Sequence, residues 1–94
     1  MRRLAADELA SALATLREWR GSSDGIERWF EWESFQDAVA FVDEVAAIAE
    51  AASHHPDLDI RFNRVRVFLV THDAGGVTDR DVAVARAVDH LVGP

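Results

Sequence analysis

The sequence contains no cysteine and no lysine, and each absence removes a class of chemistry. Without cysteine, the chain forms neither disulfides nor thiolate nucleophiles. All ten basic residues are arginine, so no lysine amine is available to form a Schiff base with a carbonyl substrate. Covalent catalysis through sulfur or through a lysine amine is therefore excluded.

Basic residues are few, and long apolar runs are missing. Ten arginines against 17 acidic residues give a formal net charge of −7, which repels nucleic acid phosphates and anionic lipids. No run approaches the length of a transmembrane helix, and Met1-Arg2-Arg3 leads into a segment with Asp7 and Glu8 rather than an apolar signal core. We therefore expect no direct nucleic acid binding, no membrane partner and a cytoplasmic location.

The hydrophobic pattern predicts one domain over residues 1–94 with the order α-β-β-α-β-β-α. Helices are predicted from Ala5 to about Arg17, from Ser34 to about Ser53 and from Thr78 to about Leu91. A glycine- and serine-rich turn places a hairpin before the second helix, and Asn63-Arg64 is the predicted turn of a second hairpin after it. This is an α+β fold in two layers, with a four-stranded antiparallel sheet and three helices on one face.

Three of the four histidines fall into a group with one glutamate: Glu50, His54, His55 and His72. Imidazoles both give and take protons near neutral pH, so three around one pocket indicate proton transfer. Glu50 and His54 are four residues apart on the predicted helix, so a carboxylate there would orient or charge the imidazole. Pro56 forces His55 into an extended conformation, so the adjacent imidazoles approach a site from different angles.

Each of these residues also has an ordinary interpretation when taken alone. Glu50 with His54 is compatible with an exposed pair at a helix end, His55 with a loop cap, and His72 with an exposed strand edge beside a glycine loop. Asp81 suits the first turn of a helix without any functional role. Zinc is disfavoured, because the histidines lack the usual ligand spacing and the chain has no HExxH motif.

In combination, the group resembles the pattern of the pterin-4a-carbinolamine dehydratase family. That pattern is an acidic or polar residue, three others, His-His-Pro, an aromatic residue, a second histidine and an aspartate. Its elements occur in order as Glu50, His54-His55-Pro56, Phe62, His72 and Asp81. The resemblance covers nearly the whole chain, although Phe62 stands where many members carry tyrosine.

The resemblance implies a hydro-lyase that dehydrates 4a-hydroxytetrahydrobiopterin to quinonoid dihydropterin, recycling the cofactor of the aromatic amino acid hydroxylases. It implies His54 and His72 as the acid/base groups and His55 as the group that binds and orients the pterin. Glu50 would then tune His54, and Asp81 would support His72 or its loop. Pro56 and Phe62 would be binding or supporting residues. The reaction needs no metal, redox cofactor or covalent intermediate.

The resemblance also implies homodimers or homotetramers, and an aromatic amino acid hydroxylase as a pathway partner. It brings a second class of function as well, because some members are dimerisation cofactors of a homeodomain transcription factor and some relatives assist Rubisco assembly. Retention of all three histidines with Glu50 and Asp81 favours the enzyme. A pure scaffold has no physical need for a proton-transfer set.

Overall fold

The computed structural model describes residues 1–93 and has the predicted element order. The elements are α1 Ala6–Thr15, β1 Arg20–Ser22, β2 Gly25–Glu31, α2 Phe35–Ala52, β3 Asp57–Arg61, β4 Arg64–Leu69, a 3₁₀ turn η1 His72–Ala74 and α3 Asp79–Val92. The α+β class and the three helices are thus confirmed. None of the helices in the described residues has both the length and the apolar content required to cross a membrane.

The four strands form one antiparallel sheet in the order β1-β2-β4-β3. The central pairing of β2 with β4 joins the two predicted hairpins, with Ile26 opposite Leu69 and Phe30 opposite Val65. All four of these side chains are buried. Because side chains alternate along a strand, this register places these four side chains on one face of the sheet, towards the core.

The helices cover that same face and complete a single hydrophobic core. The cluster combines sheet residues with residues from each helix: Ile26, Phe30, Val65, Val67, Leu69, Leu9, Phe41, Val45, Val84 and Val88. On the opposite face, Arg66 donates hydrogen bonds to the carboxylates of Glu27 and Asp59 at 2.8 and 3.1 Å. The helix side of the sheet is therefore mainly apolar, and the open side carries this cluster of charged side chains.

The turn of the second hairpin differs from the prediction by one residue. Arg61 pairs with Arg64, so Phe62 and Asn63 form the turn instead of Asn63 and Arg64. Phe62 consequently has a φ of 56°, a conformation that favours glycine or asparagine. The pairing that buries Val65 on the core face outweighs this local cost, because a shift of one residue would turn that side chain towards solvent.

Candidate functional site

The end of α2 determines where the first two histidines lie. Ser53 adopts the left-handed conformation with φ 51°, and the His54 amide donates to the Ala49 carbonyl at 3.1 Å. This αL residue ends the helix and satisfies a carbonyl of its last turn. Its consequence is that His54 leaves the helical path and points into the protein rather than continuing the face that carries Glu50.

His54 is buried against the first turn of α3. Its Nε2 lies 2.5 Å from Oδ1 of Asp81, and neither side chain has more than a tenth of its surface exposed. The carboxylate only accepts, so the imidazole donates its Nε2–H. Asp81 was expected to support the imidazole of His72 or its loop. The carboxylate contacts the imidazole of His54 instead, and it reaches the His72 loop through Thr71.

The other oxygen of Asp81 is held by the backbone and a hydroxyl. Oδ2 accepts from the Thr78 amide at 2.8 Å and from the Thr71 hydroxyl at 2.8 Å. The Thr71 and Thr78 hydroxyl oxygens are themselves 2.8 Å apart. Asp81 is thus both the helix-capping residue that was predicted and the orienting partner of an imidazole, with three donors fixing its position.

This arrangement leaves the second nitrogen of His54 free. Within residues 1–93, Nδ1 of His54 has no hydrogen-bond partner, and it is not sealed from solvent as the indole nitrogen of Trp32 is. With Nε2–H directed at Asp81, Nδ1 carries the lone pair of the neutral ring. A buried imidazole with one nitrogen anchored by a carboxylate and the other free to exchange a proton is the usual geometry of a general base.

Glu50 contacts His55 instead of His54. The carboxylate oxygen Oε2 of Glu50 forms a short hydrogen bond with Nε2 of His55, and both side chains are more than half exposed. The direct contact with His54 that the four-residue spacing suggests is therefore replaced by a contact with His55. The reversal of the chain at Ser53 moves His54 inwards and carries His55 back towards the last turn of α2.

His72 follows the site threonine Thr71 directly and opens the 3₁₀ turn η1. Thr71 forms an isolated bridge with Gly76, and the Gly75 amide donates to the His72 carbonyl at 3.0 Å, so the glycine loop is closed on itself. The His72 side chain is exposed. The structure therefore places it beside the Thr71–Asp81–His54 network, at a surface position and one residue from its hydroxyl.

Phe62 lies away from the histidines of its own chain. Pro56 follows His55 and leads directly into β3, whereas Phe62 occupies the turn at the opposite end of that strand, with 72% of its surface exposed. At about 3.3 Å per residue, the five residues of β3 separate the two by roughly 16 Å. The structure thus joins His54 to Asp81 and Glu50 to His55, leaves His72 next to Thr71 of the Asp81 network, and separates Phe62 from Pro56 along β3.

Two supporting residues were not singled out from the sequence. Thr71 donates to Asp81, and a guanidinium nitrogen of Arg80 donates to the Ser53 carbonyl at 2.8 Å, which ties α3 to the end of α2. The spacing of Thr78 and Asp81 was a usable signal, since a capping box directs the carboxylate back to the helix start. Nothing in the spacing indicates which histidine it meets there.

Among residues 1–93, no three histidine or carboxylate side chains are arranged to hold a metal ion. The site instead offers three imidazoles in different surroundings. His54 is buried against the Asp81 carboxylate, His55 is exposed and paired with Glu50, and His72 is exposed next to the hydroxyl of Thr71. Such a set suits proton transfer between a small ligand and the protein.

Comparison with known proteins gives a consistent result. The family described as pterin 4 alpha carbinolamine dehydratase matches residues 2–91. A protein of Chloroflexus aurantiacus, provisionally named pterin-4-alpha-carbinolamine dehydratase, is 50% identical over 93 residues, covering 99% of this chain and 100% of the relative. A similarly named protein of Nocardia farcinica is 49% identical over 88 residues, covering 94% and 93% of the two chains.

Solved structures agree with the sequence relatives. A transcriptional coactivator/pterin dehydratase from Brucella melitensis superimposes with a TM-score of 0.92 at 35% identity, covering 98% of this chain and all of that one. A pterin dehydratase-like RuBisCO assembly factor of the alpha-carboxysome matches at a TM-score of 0.65 and 25% identity, covering 80% and 87%. The fold, the family match and the relatives that align along nearly the full chain lead to one conclusion: the chain belongs to the pterin-4a-carbinolamine dehydratase family.

Proposed function

We propose that the protein is a 4a-hydroxytetrahydropterin dehydratase, which eliminates water from the pterin 4a-carbinolamine. In this reaction the C4a–O bond breaks, the ring nitrogen N5 loses its proton, and a C4a–N5 double bond forms as water leaves. One group must donate a proton to the departing hydroxyl, and another must accept the N5 proton, so no proton is consumed overall. The observation that carries the proposal is the buried His54–Asp81 pair with its free Nδ1.

His54 and His72 are the proposed proton carriers. Nδ1 of His54 would be the reacting nitrogen, because Nε2 is engaged by Asp81. The carboxylate stabilises the imidazolium that forms when this ring takes up a proton, and burial prevents water from weakening that interaction. His72, exposed at the start of the 3₁₀ turn, would serve the other proton of the reaction.

His55 is the proposed binding residue. Its ring is exposed and oriented by Glu50, so it is available to contact the edge of a pterin. Pro56 maintains the difference in direction between this ring and that of His54. Phe62 would contact a bound pterin only from a second copy of the chain, because it lies at the far end of its own β3.

The test is the decay of freshly generated 4a-hydroxytetrahydropterin, followed by absorbance with and without the protein. We expect His54→Ala and His72→Ala each to slow turnover by about 100-fold or more, the usual contribution of a general acid or base. His90→Ala is the matched control, since His90 is exposed in the last turn of α3. Near-normal turnover in both site variants would remove the assignment.

A binding or assembly role is the second candidate, because structural relatives include a transcriptional coactivator/pterin dehydratase and a RuBisCO assembly factor. The same assay separates the two, since a pure binding protein leaves the decay of the carbinolamine unchanged. Self-association would accompany either role. Sedimentation of the purified chain across a concentration series would give its dimer or tetramer state.

A further inference from the structure

Thr71 lies between the two proposed proton carriers. It directly precedes His72 in the chain, and its hydroxyl donates to Oδ2 of Asp81 at 2.8 Å. Oδ1 of the same carboxylate lies 2.5 Å from Nε2 of His54. The link from one imidazole to the other therefore consists of two hydrogen bonds, one carboxylate and one peptide bond.

The Thr71 hydroxyl is not used for the turn that it precedes. Thr71 is the N-cap residue of the 3₁₀ turn that begins at His72, but its side chain makes no capping hydrogen bond there. A threonine hydroxyl at an N-cap commonly accepts from an amide of its own turn. Here the hydroxyl instead connects two elements of the fold, since Asp81 belongs to α3.

The direction of each hydrogen bond in this network is fixed. An ionised carboxylate only accepts, so the single hydroxyl hydrogen of Thr71 points to Asp81. The Thr78 hydroxyl, 2.8 Å from that of Thr71, is then the donor between the two. Its oxygen accepts from the Arg80 amide at 3.2 Å. Each hydroxyl therefore donates to one defined partner and accepts from another.

Burial restricts the network to this arrangement. Thr71 is 5% exposed, and the exposed fraction of both Thr78 and Asp81 is 0%. A buried polar group that loses its partner is costly, because little solvent reaches it to replace the lost hydrogen bond. The Thr71 hydroxyl is therefore held in one position relative to the Asp81 carboxylate.

The backbone of Thr71 holds the loop that carries His72. The Thr71 amide donates to the Gly76 carbonyl at 3.1 Å, and the Thr71 carbonyl accepts from the amides of Ala74 and Gly76 at 3.1 and 3.3 Å. Thr71 thus closes this loop through its backbone and attaches it to α3 through its side chain. A displacement of Thr71 would move His72 with respect to His54.

We propose that Thr71 is a positioning residue for the dehydration. Its buried hydroxyl fixes the His72 loop to Asp81 and so sets the position of His72 relative to His54. This inference rests on the proposed dehydratase function. Thr71 itself does not react, since its one hydroxyl hydrogen is committed to Asp81. The placement matters because a displacement of about 1 Å between reacting groups reduces a rate by up to about 100-fold.

The test compares kcat and KM of Thr71→Val, which loses the hydroxyl but keeps the shape of the side chain, with those of Thr71→Ser, which keeps the hydroxyl. We expect kcat of the valine variant to fall by about 10- to 100-fold while KM stays within about threefold, and the serine variant to retain at least about a third of the parental kcat. Thr15→Val, which removes an exposed hydroxyl at the end of α1, is the matched control and should equal the parent. Parental kcat in Thr71→Val, a loss confined to KM, or an equal loss of kcat in Thr71→Ser would overturn the proposal.

A double-mutant cycle identifies the group on which Thr71 acts. In a His72→Ala background, adding Thr71→Val should lower kcat by less than about threefold further, because the imidazole that the hydroxyl places is already absent. A further loss as large as the one in the parent would show that Thr71 does not act through His72, and the proposal would fail.

If the valine variant does not fold, NMR of the unmodified protein decides. The Thr71 hydroxyl proton is buried and bonded to a carboxylate, so it should exchange slowly enough with water to give a separate resonance. Exchange as fast as that of the exposed Thr15 hydroxyl would contradict the network and overturn the proposal. Failure of the dehydratase function is a distinct result, because the parent would then leave the decay of the carbinolamine unchanged whatever the state of this proton.

Discussion

The carboxylate of Asp81 links the His54 imidazole to the start of α3, with Oδ1 2.5 Å from Nε2 of His54 and Oδ2 2.8 Å from the Thr78 amide. The second contact starts α3, and the first orients an imidazole that belongs to the end of α2. Since the carboxylate is fully buried, both contacts form in an environment where charge-assisted hydrogen bonds are strong. The position of the His54 ring is therefore set from α3 and not from its own helix.

Asp81→Asn should disturb the orientation of the His54 ring while leaving the size of the side chain at position 81 nearly unchanged. The amide retains an acceptor for Thr78 but offers an N–H₂ to His54, which favours the wrong tautomer of the ring. We expect kcat to fall by about 10²- to 10⁴-fold, and the free energy of unfolding by about 1–3 kcal/mol. Steady-state kinetics and urea unfolding measure both. Asp79→Asn, at an exposed position in the same helical turn, is the control, and unchanged kcat in Asp81→Asn would contradict the proposed role.

Glu50→Ala should affect substrate binding more than turnover. Glu50 contacts His55, and three quarters of its side chain is exposed, so unfolding should change by less than about 0.5 kcal/mol. KM should rise severalfold with kcat nearly constant. Glu44→Ala, also exposed on α2, serves as the control. A fall in kcat as large as that of His54→Ala would mean that Glu50 acts through His54 after all.

Much of the fold was predictable because local signals agreed with one another. The helical periodicity, Pro56 and the Thr78 cap correctly placed the helices and both hairpins. The partner of each carboxylate was not predictable, because a single left-handed residue, Ser53, redirects the chain and exchanges which histidine faces Glu50. The predicted turn of the second hairpin was displaced by one residue, because burial of Val65 in the core determines the strand register and with it the position of the turn.

Phe62→Asn should stabilise the protein. Phe62 is held at φ 56° in the turn, and asparagine tolerates that conformation better than phenylalanine does. We expect the free energy of unfolding to rise by about 0.5–1 kcal/mol, measured by urea titration. The exposed Ile60→Asn in the neighbouring strand should give no such gain. The KM of Phe62→Asn also bears on the pterin: an unchanged KM would remove Phe62 from the binding residues.

Two tryptophans should respond differently to loss of the indole N–H. Trp19 Nε1 donates to Asp89 at 2.8 Å, whereas Trp32 Nε1 is buried without a partner in residues 1–93. Trp19→Phe loses a hydrogen bond, and Trp32→Phe removes an unsatisfied donor. We expect Trp19→Phe to cost about 1–2 kcal/mol more than Trp32→Phe in thermal or urea unfolding. Equal costs would show that ring volume alone determines both.

The exposed pair of Arg2 and Glu8 should produce a measurable acid dependence. A bidentate hydrogen bond from Arg2, aided by the Ala5 amide, lowers the pKa of Glu8 from 4.5 to about 2. A lowered folded-state pKa means that this stabilisation is complete above about pH 4.5 and is lost as the pH falls through 2. The urea midpoints of the parent and Glu8→Gln should therefore differ at about pH 7 and converge near pH 2.

The control for this acid dependence is the Arg2→Ala background. There, the effect of Glu8→Gln on the urea midpoint should be much smaller, because the largest cause of the pKa shift has been removed. An effect of the same size in both backgrounds would assign it to the Ala5 amide contact instead.

The shared carboxylate of Asp81 also couples the geometry of the site to the local folding of the first turn of α3. The first turn of α3 cannot unfold locally without breaking the hydrogen bond between Asp81 and His54. Local unfolding of this turn therefore also removes the orientation of the proposed proton carrier. Amide exchange at Asp81, whose N–H is bonded to the Thr78 carbonyl, would therefore follow the same equilibrium as the active fraction of the protein. A substitution that loosens this turn would lower activity before it lowers global stability.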